Sequence, residues 1–254
     1  MEQTITSRDN ERVKHAVKLA SSAAFRAQEG LLFAEGPRLC LDLAATLAPV
    51  RLFATAQTLA QWPALCGLAP ETYTVGGHVA EKLSTTRSTQ GAFGLFRLPA
   101  AGWEALHPEK GVLLCDTVQD PSNVGTMIRT AAGLGYGGVV LAGPCADPYS
   151  PKMLRAGMGA VGRVPVVLEA DPLAAARRLK GLGCTLVATA LEGAVPLADA
   201  APKRPVALLM GNEGAGLSSG LLAAADLRVA IPMKNGVDSL NVAAAAAILM
   251  YALR

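Results

Sequence analysis

The 254-residue chain has little of what usually announces a chemistry. Its five cysteines (Cys40, Cys66, Cys115, Cys145, Cys184) are odd in number and widely spaced. That excludes a closed disulfide framework and offers no CxxC pair to a metal. His15, His78 and His107 each stand without a partner at ligand spacing, so neither zinc nor any other metal is expected. No apolar run reaches membrane-spanning length, and the opening Met1-Glu2-Gln3-Thr4 lacks the apolar core of a signal peptide. The expectation is a soluble, cytoplasmic protein with no membrane partner. A GxxxxGK[ST] phosphate loop is absent. Gly133-Leu134-Gly135-Tyr136-Gly137-Gly138 has GxG spacing, but it follows a predicted helix and precedes a predicted strand, the wrong order for dinucleotide binding. A net charge of +3 neither requires nor excludes a nucleic-acid partner, because a local basic face matters more than the total.

What is present is apolar: 51% of the residues are hydrophobic, enough to build a core for one large domain or two modest ones. Residues 10–20 place Val13, Ala16, Val17 and Ala20 at helical spacing, with Arg12, Lys14 and Lys18 on other faces. That helix is either a basic surface for RNA or an ordinary solvated one. Short strands then alternate with helices: strand candidates at 31–36, 51–54, 72–75 and 92–98, and helical ones at 37–47, 55–62 and 78–83. A Pro- and Gly-containing run breaks the pattern, which places a linker at 99–110 between domains at 1–98 and 111–254.

From Gly111 the strand candidates are 112–115, 138–142, 164–168, 185–190, 206–210 and 227–231, mostly continuous apolar runs. Such runs are expected when both faces of a parallel sheet are covered by helices, here 123–134, 151–158, 172–182 and 242–253. Ligands bind such sheets at the carboxyl ends of strands, and three loops there carry the polar residues. The first, from Asp116 to Asn123, leads into a helix that Ser122 or Asn123 can cap; Val124, Ile128 and Ala131 form its buried stripe and Arg129 sits one position off it. Asp116 and Asp120 read as turn formers rather than magnesium ligands. Arg129 is either a plain surface arginine or a group reaching across the strand ends. The second loop, Gly211-Asn212-Glu213-Gly214-Ala215-Gly216-Leu217, combines backbone freedom with one carboxylate. The third runs from Ile231-Pro232-Met233 to Ser239-Leu240-Asn241, where Asn241 stands as the cap of an alanine-rich helix, a setting that suits an anionic ligand group.

Taken together, Asn123-x-Gly125-x-x-x-Arg129, Gly211-Asn212-Glu213-Gly214-x-Gly216-Leu217 and Ile231-Pro232-Met233-x-x-Gly236-x-x-Ser239-Leu240-Asn241-Val242 resemble the three ordered motifs of the SpoU/TrmH branch of the SPOUT RNA methyltransferases. Thr6-Ser7-Arg8-x-Asn10, Phe33-x-Glu35-Gly36-x-Arg38 and Thr89-Gln90-Gly91 are similar to the RNA substrate-binding domain attached to many members, with Thr89 in place of the usual proline. The resemblance implies an α/β protein whose C-terminal parallel-sheet SPOUT domain, tied in a trefoil knot, follows a small L30e-like α/β domain. It implies a homodimer that methylates the ribose 2′-hydroxyl of structured RNA with S-adenosyl-L-methionine as donor, on rRNA before tRNA. A catalytically silent RNA-binding or ribosome-assembly factor of the same fold is the alternative. The catalytic group transferred by the motifs is Asn123, Arg129, Glu213, Ser239 and Asn241. Cofactor contacts fall at Leu209, Met210, Gly211, Asn212, Gly216, Ile231, Pro232, Met233, Ser239 and Leu240. RNA contacts are expected at Arg8, Arg12, Lys14, Arg38 and Arg129.

Overall fold

The computed structural model describes residues 3–99 and 102–254; Ala100 and Ala101, inside the expected linker, lie outside the described residues. The chain divides into two compact units, Met1–Ala100 with Asp147–Gly162, and Ala101–Ala146 with Arg163–Arg254. The sequence-based boundary at 99–110 therefore misses one thing: residues 147–162, read as part of the second domain, pack with the first.

The first unit runs β1 (Gln3–Ile5), α1 (Glu11–Ser21), α2 (Ala23–Glu29), β2 (Leu31–Glu35), α3 (Pro37–Ala44), β3 (Pro49–Ala54), α4 (Ala56–Gln61), β4 (Glu71–Val75), α5 (Gly77–Leu83) and β5 (Ala92–Arg97). Its sheet has the order β1-β4-β3-β5-β2, with β5 antiparallel to both neighbours. Asn10 caps α1 by accepting from the Arg12 amide, and Val13, Ala16 and Leu19 are its buried stripe; Val17 and Ala20 pack partly buried beside it.

The second unit contains β6 (Val112–Asp116), α6 (Pro121–Gly133) and β7 (Gly138–Ala142); the chain then supplies α7 (Pro151–Gly157) to the first unit. It returns for β8 (Val166–Glu169), α8 (Pro172–Gly181), β9 (Thr185–Thr189), β10 (Val195–Pro196), β11 (Val206–Met210), α9 (Ser219–Ala224), β12 (Leu227–Ala230) and α10 (Val242–Leu253). The seven strands form a wholly parallel sheet in the order β10-β12-β9-β11-β6-β7-β8. Every residue of β6, β7 and β11 is buried, as crossover helices on both faces require. After β12 the chain returns past β9 and β11 to reach α10, which packs on α6 and β11. No helix among the described residues is long and apolar enough to cross a membrane.

The expected cap of α6 is corrected. Asp120 takes that position, accepting from the Ser122 amide at 2.8 Å, because Pro121 lacks an N–H and fits the first helical turn. Asn123 thereby moves inside the helix and its side chain is free for other bonds.

The attachment of residues 147–162 to the first unit rests on charge as well as packing. Met153 and Leu154 are fully buried, while the Arg26 guanidinium, 4% exposed as a residue, donates to the Asp147 carboxylate and to the Ala20 carbonyl. Asp147→Ala leaves that guanidinium buried without its counter-charge, which costs about 3 kcal/mol. Urea unfolding should show it; a loss below roughly 1 kcal/mol, the value of a surface pair, would refute a structural role for this contact.

Candidate active site

Four loops at the carboxyl ends of β6, β9, β11 and β12 carry the polar groups of the second unit. A cavity of about 710 Å³ lies among the last three of them and the first turns of α10. Its volume suits a ligand of cofactor size.

The β11 loop is shaped by glycine. A side chain on Gly211 would put its Cβ 2.2 Å from the Gly216 carbonyl carbon and 2.3 Å from the Leu217 nitrogen, so only glycine fits. Asn212 and Gly216 exchange both backbone hydrogen bonds, at 3.0 and 2.9 Å, and Gly216 closes the turn at a left-handed φ of +70°. The Asn212 side chain finishes the loop: its carbonyl oxygen accepts from the Gly214 and Ala215 amides, and its amide donates to the Thr117 carbonyl at 2.9 Å. Beneath it, the buried Asp116 accepts from the Ser218 amide at 3.0 Å and from its neighbour Thr117. Asp116, expected as a turn former, instead ties the end of β6 to the far end of the β11 loop through the Ser218 amide.

The β12 loop reaches the same place through a tight turn. Asn235 and Gly236 both have left-handed φ, and the Val237 amide donates to the Lys234 carbonyl, a type I′ arrangement. Beyond it Ser239, Leu240 and Asn241 enter the cavity wall. Asn241 caps α10 through its carbonyl oxygen, which accepts from the Ala243 and Ala244 amides at 2.9 and 3.2 Å. The amide end of Asn241 donates to Asn123 at 3.0 Å, and the amide end of Asn123 donates to Glu213 at 2.9 Å. Three side chains from three separate motifs thereby form one line. Glu213 also accepts from the Asp120 and Gln119 amides at 3.3 and 3.5 Å, just before α6, and from Asn212 at 3.4 Å. Loss of hydration pushes its carboxyl up, but the bonds from Asn123 and these amides outweigh that and hold its pKa below the ordinary carboxylate value.

Of the residues singled out by sequence, Met210, Gly211, Asn212, Glu213, Gly216, Ile231, Met233, Ser239, Leu240 and Asn241 line the cavity. Four expected members do not. Leu209 is wholly buried in β11, where alternation turns it into the sheet core, and Pro232 lies beside the lining rather than in it. Arg129 is exposed on α6, lines no part of the cavity, and makes no hydrogen bond or ion pair among the described residues. Asn123 also stays behind the wall, but its bonds join it to Glu213 and Asn241. The expected RNA-contacting residues of the first unit are exposed and each has an internal partner: Arg8 pairs with Glu81, Lys14 with Glu11 and Arg38 with Asp42, and Arg12 lies over the Tyr73 ring. Sequence reasoning missed Thr189 to Glu192 after β9, which line the cavity although no motif marks them. The available signal was their place at the end of a strand in a parallel sheet.

Residues 110–251 match the SpoU rRNA Methylase family. A 23S rRNA (guanosine-2′-O)-methyltransferase, RlmP of Bacillus subtilis, is 43% identical over 151 residues, 59% of this chain and 60% of that protein's length. An uncharacterized tRNA/rRNA methyltransferase of Synechocystis is 32% identical, with 99% of this chain and 93% of that one aligned. The crystal structure of an AdoMet-bound rRNA methyltransferase from Sinorhizobium meliloti superposes with a TM-score of 0.87 at 29% identity, covering 99% and 97% of the two chains.

The lowered pKa of Glu213 fixes a pH signature. A carboxyl whose folded pKa lies below its unfolded value stabilises the fold fully above the unfolded value, 4.5, and loses that contribution as pH falls through the folded pKa. Glu213→Gln should therefore melt below wild type at pH 7, and the gap should close as pH is lowered from 4.5. A gap that stays constant down to pH 3 would contradict this account of the carboxylate.

Proposed function

Because the chain belongs to the SpoU rRNA methylase family, we propose that it is an S-adenosylmethionine-dependent RNA 2′-O-ribose methyltransferase acting on ribosomal RNA. The observation that carries the reading is the convergence of the β11 and β12 loops on one cavity, with the Asn241–Asn123–Glu213 line bracing it. The cavity fits the donor: Gly211 and Gly216 let backbone approach a ligand, Met210, Leu217, Leu240 and Leu249 offer apolar surface, and the Ser239 hydroxyl makes no hydrogen bond among the described residues. Met210, Gly211, Asn212, Gly216, Ile231, Met233, Ser239 and Leu240 would hold it. When bound, S-adenosylmethionine supplies a methyl group made electrophilic by a sulfonium.

The chain must then activate and place a 2′-hydroxyl, a poor nucleophile at neutral pH. Arg129 does this as a cation. A guanidinium does not give up its proton in a protein, so it serves no role as base; it holds a phosphate beside the target and stabilises the developing alkoxide while another group or water takes the hydroxyl proton. It does so across a subunit contact. Arg129 lies on α6, which packs against α10, and α10 carries exposed Ile248 and Tyr251 at one helical face. A homodimer built on these helices covers that apolar face and brings Arg129 of one subunit to the cavity of the other. Asn123, Glu213 and Asn241 hold the loops in place. The separation of the first unit, with its exposed basic side chains, supports capture of structured RNA rather than a small substrate.

Methylation mapping of rRNA and tRNA from a deletion strain, with and without the complementing gene, tests the function. One 2′-O-methyl group should vanish from rRNA and return on complementation. Its loss from tRNA instead would reassign the substrate, and no loss from either would leave the alternative of a catalytically silent RNA-binding factor.

Subunit mixing tests the chemistry. Arg129→Lys keeps charge but loses the planar fork, so Arg129→Lys and Arg129→Ala should both cut single-turnover methylation strongly while cofactor affinity is kept. Gly211→Ala should abolish cofactor binding by its clash with the Gly216 backbone. Refolded together, Arg129→Ala and Gly211→Ala should regain about a quarter of wild-type activity, since half the dimers are mixed and each holds one intact site. No recovery in verified mixed dimers would exclude action across the interface.

A further inference from the structure

Glu35, at the end of β2, is 2% exposed and accepts four hydrogen bonds from the loop after α5. Its Oε1 takes the Ser84 hydroxyl at 2.6 Å and the Thr86 hydroxyl at 2.9 Å, and its Oε2 takes the Thr85 amide at 2.7 Å and the Thr85 hydroxyl at 2.6 Å. A buried carboxylate with this many donors is fully satisfied, and the loop wrapped around it has a fixed shape. The loop also receives a cation from elsewhere. Arg155 of α7 donates to the Thr85 hydroxyl at 2.7 Å and stands 3.8 Å from Glu35, while its side chain stays 29% exposed.

The outward side of the same loop is polar and positively charged. Arg87, Ser88, Thr89 and Gln90 are exposed, and Arg87 has no hydrogen bond or ion pair among the described residues. Gln90 folds back toward Gly36, where an added Cβ would stand 2.9 Å from the Gln90 side-chain oxygen, so the loop ends beside the start of α3 and its Arg38. The one carboxylate at the centre is buried and occupied by the Ser84, Thr85 and Thr86 hydroxyls, which leaves two guanidinium groups and the exposed Ser88 and Thr89 on the outside. Guanidinium forks with neutral donors between them match a phosphodiester backbone.

We propose that residues 84–90 and α7 make one RNA-backbone contact surface, with Arg87 and Arg155 as its phosphate ligands and Glu35 as the positioning residue beneath them. This rests on the reading of the protein as an RNA methyltransferase and adds a consequence to it. The RNA-holding unit is built from both halves of the sequence, because α7 is encoded between β7 and β8 of the other unit. Unlike Arg8, Lys14 and Arg38, which are each paired with a carboxylate, Arg87 gives up no internal partner among the described residues when it meets a phosphate.

The test is equilibrium binding of the full-length protein to an unmethylated 23S rRNA transcript across a salt series. Arg87→Ala and Arg155→Gln should each weaken binding several-fold and make the plot of log K against log salt shallower by roughly 0.7–0.9, one phosphate contact apiece. Calorimetry with S-adenosylmethionine should give wild-type affinity in both. Arg87 lies on the surface, so its substitution keeps the test valid should Arg155→Gln unfold the loop. Unchanged affinity and slope for Arg87→Ala, or an equal loss of cofactor binding, would overturn the proposal alone. A wild-type protein that binds neither this transcript nor tRNA would overturn the RNA reading with it.

Discussion

A carboxamide that donates from one end and accepts at the other can join two partners, and Asn123 does so between Glu213 and Asn241. Its neighbours belong to loops that leave β11 and β12, strands separated in the sheet by β9. The ionised Glu213 accepts at one end, which fixes the way the Asn123 amide faces and therefore the way Asn241 faces. Asn241 turned in that direction is also the group that starts α10, a capping contribution of about 1 kcal/mol. Charge, amide orientation and helix initiation are thus one coupled system, and the wall of the cavity depends on it.

The same coupling separates two kinds of polar residue at the site. Asn123, Asn212, Asp116, Glu213 and Asn241 spend their hydrogen bonds on backbone, on one another or on the Thr117 hydroxyl. Ser239 and Arg129 make none among the described residues. Groups already satisfied define shape; groups left open are the ones a substrate can engage without first breaking an internal bond. Arg129 is open but outside its own cavity, which makes the dimer a chemical requirement of the proposed mechanism.

Much of this was written in local signals. The bounds of β7, β11 and α10 match the sequence reading, because continuous apolar runs and an asparagine cap mark them without tertiary help. The glycine-rich loops were legible for the same reason, since Gly211 and Gly216 answer to backbone geometry. Three features were not. The two-residue β10 is too short to carry a period. The role of Asn123 depends on Asp120 and Pro121 taking the cap, a competition among adjacent candidates that pattern alone does not decide. The membership of α7 was hidden because periodicity tells which face of a helix is buried and is silent about what buries it.

That last feature bears on how such proteins can be recombined. A chain whose two units were consecutive could exchange its first unit with a relative's at one breakpoint. Here the chain passes between units after Ala100, after Ala146 and after Gly162. A single crossover near residue 100 would set a foreign β2 and its glutamate against a native α7, mismatching both the Arg26–Asp147 pair and the Arg155–Thr85 contact. Only exchanges that carry both segments together preserve a matched core, so the two stretches are held to change as one inherited block although residues 101–146 lie between them.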